Sequence, residues 1–409
     1  MQEIAKQMAS DYPGVKKVAL SYSGGLDSVV VGKLLELAGF SVLPIVVDVG
    51  QKSDFAKIER NAKKMFGKCI IVDAKKEVAE AVMRAIKANF GFDGKMNGGG
   101  IIRPVLAKAL VQSARKCGCQ AIAHGSSGIG NDALCMENSL RVLAPELRIM
   151  AVVRDFDLKR DWSIEFSKKN NLQTNIGRAE KFSADESLWG RAIRQGEAVE
   201  QTSPIPQDAY KWTASYMDAP EKPQELELEF SFGIPVSAKI GKMAIREPVL
   251  MLQKLNEIGG KHGIGRADTM DDKVVGLKVR EAYECPAASI LLFAHRKMEE
   301  LTLTSQEILA KRSMDALWSS LVHAGLWHSR LRRAADAFID ETQRAVKGKV
   351  VLELYKGSIS LKGRDSPNAL YDKRVSGRDS KGVFSQKEAR HFAKLYALQE
   401  IVAYLFKNE

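Results

Sequence analysis

The stretch Val18–Val31, VALSYSGGLDSVVV, breaks an apolar run with Ser-x-Ser-Gly-Gly-x-Asp-Ser and then turns apolar again. The pattern predicts a strand that delivers a glycine-rich loop to the first turn of a helix, where backbone N–H groups without intrahelical partners collect anions. The loop asks for a phosphate. It matches neither G-x-x-x-x-G-K-[ST] nor G-x-G-x-x-G, so the common triphosphate and dinucleotide fingerprints are absent and there is no loop lysine. Instead Gly24 and Gly25 let the backbone bend around an anion, Ser23 and Ser28 add hydroxyl donors, and Asp27 can hold Mg²⁺ against phosphate oxygens.

Outward from this loop, the first third of the chain alternates regularly. KKVALSYS, VLPIVVDVG and KCIIVDA read as strands; LDSVVVGKLLELAG, closed by Gly39, and DFAKIERNAKKMFG read as helices, with further helices at 75–90 and 104–117. QAIAHGSSGIGND adds a strand ending in a second glycine-rich turn, and LRIMAVVRD one more strand before a helix at 160–170. Such alternation predicts a parallel sheet with helices on both faces, and loops at the carboxyl ends of its strands converge on one crevice. The turns at Ser23 and Gly125 are therefore expected to face the same ligand. After about Gln173 prolines concentrate, LELEFSFGIPVSAKIG alternates as a hairpin would, and a second domain of mixed α and β structure begins. The final SQKEARHFAKLYALQEIVAYLFKNE places Phe392, Leu395, Leu398, Ile401, Val402 and Leu405 at helical spacing behind a candidate Ser385 cap, an apolar stripe in need of a docking surface.

With 409 residues, 45% of them hydrophobic, the chain can fill two cores. No apolar segment approaches the ~20 residues that span a bilayer, and charges occupy the opening MQEIAKQMASDYPG where a secretory segment would be apolar, so the expected address is the cytoplasm, with no membrane partner. Five cysteines without paired C-x-x-C spacing fit reduced thiols. CGC at 117–119 is a weak metal hint. The net charge of +12 suits either nucleic acid or anionic small molecules, but the basic residues are spread along the chain, which favours a solvated surface over an RNA tract.

The SGGLDS loop resembles that of the ATP pyrophosphatases, which adenylate a carbonyl oxygen and release pyrophosphate. VVDVGQ, AHGSSGIGND, NEIGGKHGIGR, YECPA and LYKGSISLKGR, in that order, extend the resemblance to the argininosuccinate synthase family over nearly the whole chain. The resemblance implies an α/β parallel-sheet nucleotide-binding domain at 1–175, an α+β synthetase domain at 176–370 and a C-terminal oligomerisation helix at 371–409, assembled as a homotetramer. The implied reaction is ATP activation of a ureido oxygen followed by attack of the aspartate amine, with ATP and Mg²⁺ required. By the same resemblance the ATP contacts are Ser21, Tyr22, Ser23, Gly24, Gly25, Leu26, Asp27 and Ser28, the backbone of Val47, and Gly125, with Ser23 and Asp27 nearest the chemistry. Aspartate contacts map to Ser127, where many relatives carry threonine, and to Asn131 and Asp132. Ser183 and Tyr283 match residues that touch the ureido substrate, and Asp271 replaces a family glutamate.

Other matches in that pocket depart from the family. Cys135 stands where an arginine is usual, Lys95 and Gly100 align with a tyrosine and a serine, and Ala192 replaces a second serine. Together these changes imply a pocket with room near Gly100 and Ala192 and positive charge at Lys95, Arg191 or Arg194, favouring a bulkier or more acidic substrate than citrulline. Two further readings stay open at this level. One is a tRNA-base adenylating enzyme, for which the sequence offers no appended RNA module; the other is a nucleotide-binding regulator that has lost chemistry, against which the intact SGGLDS argues.

Overall fold

Strand β1 (Lys17–Ser21) sits at the centre of a five-stranded sheet with β2 (Ser41–Asp48), β3 (Ile70–Asp73), β4 (Ala121–Ala123) and β5 (Arg148–Met150), all parallel, in the order β3-β2-β1-β4-β5. The computed structural model describes residues 2–91, 96–174, 182, 184–194, 200–376 and 386–406. Alternate residues of β1 and β2 feed opposite faces. Ala19, Leu43, Ile45 and Val47 enter the larger core, whereas Val18, Leu20, Val42 and Val46 enter the smaller. Helices α1 (Gln2–Asp11), α2 (Leu26–Leu37), α3 (Phe55–Phe66), α4 (Lys75–Lys87), α5 (Gly99–Lys116), α6 (Asn131–Leu143), α7 (Val152–Asp155) and α8 (Arg160–Lys169) complete this half.

Local signals fix most of these elements. The Asp54 carboxylate caps α3 by accepting from Lys57 N, and Gly67, in the left-handed region at φ 75°, ends it. Two expectations shift. The run LRIMAVVRD pairs only over Arg148–Met150, because its partner β4 is three residues long; beyond it Asp155 Oδ2 accepts from Ala151 N and the chain turns into α7. Helix α5 starts one turn before Pro104, because the Asn97 side chain accepts from Gly99 N at 3.0 Å and supplies the cap that a Gly-Gly-Gly sequence lacks.

The rest of the chain builds two antiparallel sheets. One, in the order β10-β9-β8-β13-β14, comprises β8 (Gln224–Ser231), β9 (Ile234–Ile240), β10 (Met243–Ile245), β13 (Gly348–Tyr355) and β14 (Ser358–Asp365). The other, β11-β12-β7-β6, joins β6 (Ala184–Glu186) and β7 (Arg191–Ile193) to β11 (Arg266–Asp272) and β12 (Lys278–Glu284), so that Tyr283 pairs with Ala192 and with Ala267. Helices α9 (Pro248–Lys261), α10 (Pro286–Thr302), α11 (Ser305–His323) and α12 (Arg330–Thr342) pack around them. A capping box, Thr304 with Glu307, opens α11. The larger core is continuous from Ala19 of β1 to Leu352 of β13, and α4 packs on α9, α10 and β9, so one core joins the two halves. After the short α13 (Lys373–Ser376), the C-terminal stripe forms two helices, α14 (Gln386–Tyr396) and α15 (Leu398–Leu405), rather than one, with Ala397 between them. Ser385 lies outside the described residues.

Candidate active site

Strand order reverses between β1 and β4, and in a parallel sheet that reversal opens a crevice at the strands' carboxyl ends. Both glycine-rich turns lie there. Gly24 takes φ 74°, turning the chain so that Gly25 becomes the N-cap of α2; no side chain caps that helix, which leaves its first N–H groups for a ligand. Inside the loop, Ser28 Oγ donates to Gly25 O at 3.0 Å, accepts from Ser23 N at 3.3 Å and meets Ser23 Oγ at 3.2 Å, and Gly25 N donates to Ser23 Oγ at 3.3 Å. The two hydroxyls hold the curl. Gly125 closes against it: a β-carbon there would come within 3.1 Å of Asp27 Cβ.

A cavity of about 600 Å³ opens over this loop, with Ser21, Asp27, Val47 and Gln51 on one wall and the cations Lys52, Lys57, Arg103 and Arg160 around it. Val47 O accepts from Gln51 Nε2 at 3.0 Å, which fixes the strand end. Tyr22 is buried, with its phenol pushed up to about 12 by desolvation, so it contributes wall and not charge. Burial within the cleft raises the Asp27 carboxyl above its ordinary value, and the Arg160 charge opposes the shift. Lys52, Lys57 and Arg160 were not legible in the loop motif; the signal that finds them is position, since each follows a parallel strand at its carboxyl end.

Next to the nucleotide cavity lies a dense ionic cluster. Asp132 Oδ2 on α6 accepts from Arg103 Nη2 of α5 at 3.1 Å and from Arg194 Nη1 just past β7. Burial alone would raise the Asp132 carboxyl, but the two guanidiniums outweigh it and hold its pKa far below the carboxylate range. Deeper, Lys273 pairs with Asp271 at 2.6 Å and Glu281 at 2.8 Å, Arg194 Nε lies 3.1 Å from Glu281, and the Tyr283 hydroxyl donates to Glu281. Burial raises the Asp271 carboxyl and Lys273 more than reverses it. Asn131 is buried: its Oδ1 accepts from Val274 N at 2.9 Å, and its Nδ2 lies 2.8 Å from His323 Nε2.

Several expected positions therefore differ in what they offer. Ser127 is exposed on the second turn. Cys135 is 1% exposed, packed against the Gly325 turn with its thiol pushed up to about 12 by burial, so it faces packed chain and not the cleft. Lys95 and Ser183 lie outside the described residues. The room expected near Gly100 is not there, because a β-carbon at Gly100 would fall 2.3 Å from Val322 O of α11. Arg191 is not a free cation either; it is bound at 2.7 Å to the buried Glu284 and at 3.1 Å to Glu186. Arg194 and Ala192 do border a cavity, a narrow one of about 70 Å³ beside the nucleotide cleft. Glu281, Lys273 and Asn97 join the cluster with no motif to announce them.

Two family models divide the chain: residues 17–173 match the argininosuccinate synthase N-terminal HUP domain, and residues 182–403 match the argininosuccinate synthase C-terminal domain. The argininosuccinate synthase of Pyrococcus furiosus is 42% identical over 393 residues, 95% of this chain and 94% of that protein. The chain belongs to the argininosuccinate synthase family. The synthases of Archaeoglobus fulgidus and Methanocaldococcus jannaschii are similar to it as well, 40% identical over 94% of this chain and 97% of the former, and 41% over 94% of this chain and 96% of the latter. The chain is thus a carbon–nitrogen ligase of the argininosuccinate synthase type that uses ATP. The match from 182 to 403 gives the part beyond the nucleotide domain to the synthase family and not to an RNA-modifying one. Among the described residues no helix is long and apolar enough to cross a membrane.

Proposed function

We propose that this chain adenylates the ureido oxygen of citrulline, or of a close analogue, and couples the activated carbon to the amine of aspartate. The observation that carries this reading is the meeting of Asp27 and Gly125 at the β1/β4 reversal, beside a cation-rimmed cavity of nucleotide size. ATP phosphates would lie on the uncapped N-terminus of α2 and between the Ser23 and Ser28 hydroxyls, with Lys52, Lys57 and Arg160 balancing their charge. The ureido oxygen attacks the α-phosphorus, pyrophosphate leaves, the deprotonated aspartate amine attacks the ureido carbon, and AMP departs with the former ureido oxygen. Asp27 is the carboxylate that would hold Mg²⁺. One carboxylate with phosphate oxygens and water is an ordinary Mg²⁺ set, and Asp27 is open to the cleft. Mg²⁺ would neutralise charge on the leaving pyrophosphate.

The division at residues 175 and 370, a cytoplasmic address and a homotetramer belong to the same proposal. The five free thiols support the address. Exposed apolar side chains on α14 and α15 support an assembly of like chains. The test is pyrophosphate release with ATP and Mg²⁺ against citrulline and other ureido compounds, each with and without aspartate. AMP and pyrophosphate in equal amounts are expected; ADP and phosphate as products would refute the reading.

A further inference from the structure

A narrow cavity of about 70 Å³ continues from the nucleotide cleft, sharing Arg103, Asp185 and Arg191 with it. Trp189, Tyr283 and Ala192 line its apolar side, and Arg103, Arg194 and Asp185 line its charged side. Three carboxylates of the adjoining cluster are engaged and nearly buried. Asp132 is 13% exposed and held by two guanidiniums; Asp271 and Glu281, each 2% exposed, are held by Lys273, with Arg194 also on Glu281. Asp185 differs. Its side chain is 53% exposed, yet Oδ2 lies 2.9 Å from Arg103 Nη2 and 3.0 Å from Arg194 Nη1, bridging the same two arginines from the solvent side. Arg103 Nε is buried and meets no hydrogen-bond acceptor among the described residues, so a donor remains over on that guanidinium.

We propose that Arg103 and Arg194 form the fork that reads a substrate carboxylate, and that Asp185 is the resident stand-in which that carboxylate displaces. The inference rests on the ligase reading for the identity of the substrates, but not for the geometry. Exchanging one carboxylate for another leaves the charge of the cluster unchanged, and the half-exposed Asp185 can swing into water at small cost, whereas the nearly buried Asp132 and Glu281 have no such way out to solvent and their withdrawal would leave buried cations short of counter-charge. A planar fork with a spare Nε–H suits a bidentate carboxylate. The same saturation works against an ammonium group: the three buried carboxylates that could receive one already hold Lys273, Arg103 or Arg194. The shared chemistry is a carboxylate, and both the aspartate and the ureido substrate could supply it.

Isothermal titration of the full-length protein without ATP, so that nothing turns over, tells these sources apart with two probes: succinate, which is aspartate without its amine, and ureidopentanoate, which is citrulline without its α-amine. For the probe that uses the fork, Asp185→Asn is expected to tighten binding by about tenfold and Arg194→Gln to weaken it by about tenfold or more. Arg194→Lys, which keeps the charge but not the fork, should also weaken it, and it covers the case in which the glutamine variant does not fold. A crystal structure with that probe should show its carboxylate between Arg103 and Arg194 and Asp185 turned to solvent. Unaltered affinity of both probes in Asp185→Asn, no binding of either probe to any variant, or a bound probe with Asp185 still bridging the arginines would overturn the proposal. If probe affinities shift as expected while no substrate releases pyrophosphate, the fork stands and the ligase reading falls.

Discussion

Asp27 shows how one residue is set by its loop. The Gly24 turn and the Gly125 approach place it in the cleft, and desolvation there raises its carboxyl, so the folded state penalises the charged form. The sign for stability follows: a carboxyl whose folded pKa is raised loses stability as pH rises through that pKa, so removing its charge costs the fold nothing. Asp27→Asn should therefore leave the melting temperature equal or slightly higher while abolishing pyrophosphate release; a variant of wild-type turnover would take Asp27 out of the chemistry. Because the ionised form is the one that can hold Mg²⁺, the acid limb of kcat/KM for ATP is expected above the ordinary aspartate value of about 3.9. A limb at or below that value contradicts the role. The Ser23–Ser28 curl was readable from residue types alone, since glycines and hydroxyls at that spacing have few other uses. That Asn131 would have its amide taken up by His323 and Val274 was not, because those partners are more than a hundred residues away.

At the scale of elements, α5 meets α11 at Gly100 with no space to spare. Gly100→Ala would drive a methyl into the Val322 carbonyl, a backbone atom that cannot rotate away, and is expected to cost about 1–3 kcal/mol in chemical denaturation. Stability equal to wild type would mean that the two helices slide apart freely. The C-terminal pair behaves oppositely. Phe392, Leu395 and Tyr396 on α14 and Ile401, Val402 and Leu405 on α15 are all about half exposed or more, an apolar surface that one chain leaves uncovered. Truncation before α14 is expected to lower the oligomeric mass seen by light scattering. A shortened chain with the mass per particle of an intact assembly would show that these helices tie nothing together. Helical spacing revealed this stripe in the sequence; the break at Ala397 was not visible, since nothing in local composition marks it.

At the scale of the whole molecule, three buried carboxyls, Asp132, Asp271 and Glu299, are held below their ordinary values. Asp132 is shared by Arg103 of the first half and Arg194 of the second; Asp271 is held by Lys273, and Glu299 by His295, Lys311 and Asn89, each against a burial that would raise it. Folded values below the unfolded ones mean that these groups stabilise the chain fully above the unfolded carboxylate range, and that this contribution is lost as pH falls through it. Thermal melts should therefore drop steeply below pH ~4. A melting temperature flat to pH ~3 would show that the pairs are not coupled to folding. Arg194→Met removes one of the two cations on Asp132 and one of the two on Glu281 while Arg103 and Lys273 stay in place, and is expected to cost more in chemical denaturation than the ~0–1 kcal/mol of an exposed pair, up to about 3 kcal/mol.

The parallel sheet, its glycine-rich loop, the hairpins and the amphipathic C-terminus were determined by sequence, because each depends on periodicity, turn chemistry and capping within a dozen residues. Tertiary structure alone decided the substrate side of the cleft. Arg103, Asp132, Asp185, Arg194, Lys273 and Glu281 come from four separate segments, α5, α6 and the β6–β7 and β11–β12 hairpins, and whether each faces ligand, water or a counter-charge depends on burial and on distances that no local pattern encodes. Gly100, read as an opening in a pocket wall, proved to be a point of close packing, since a small residue leaves space only if no other part of the chain has already filled it.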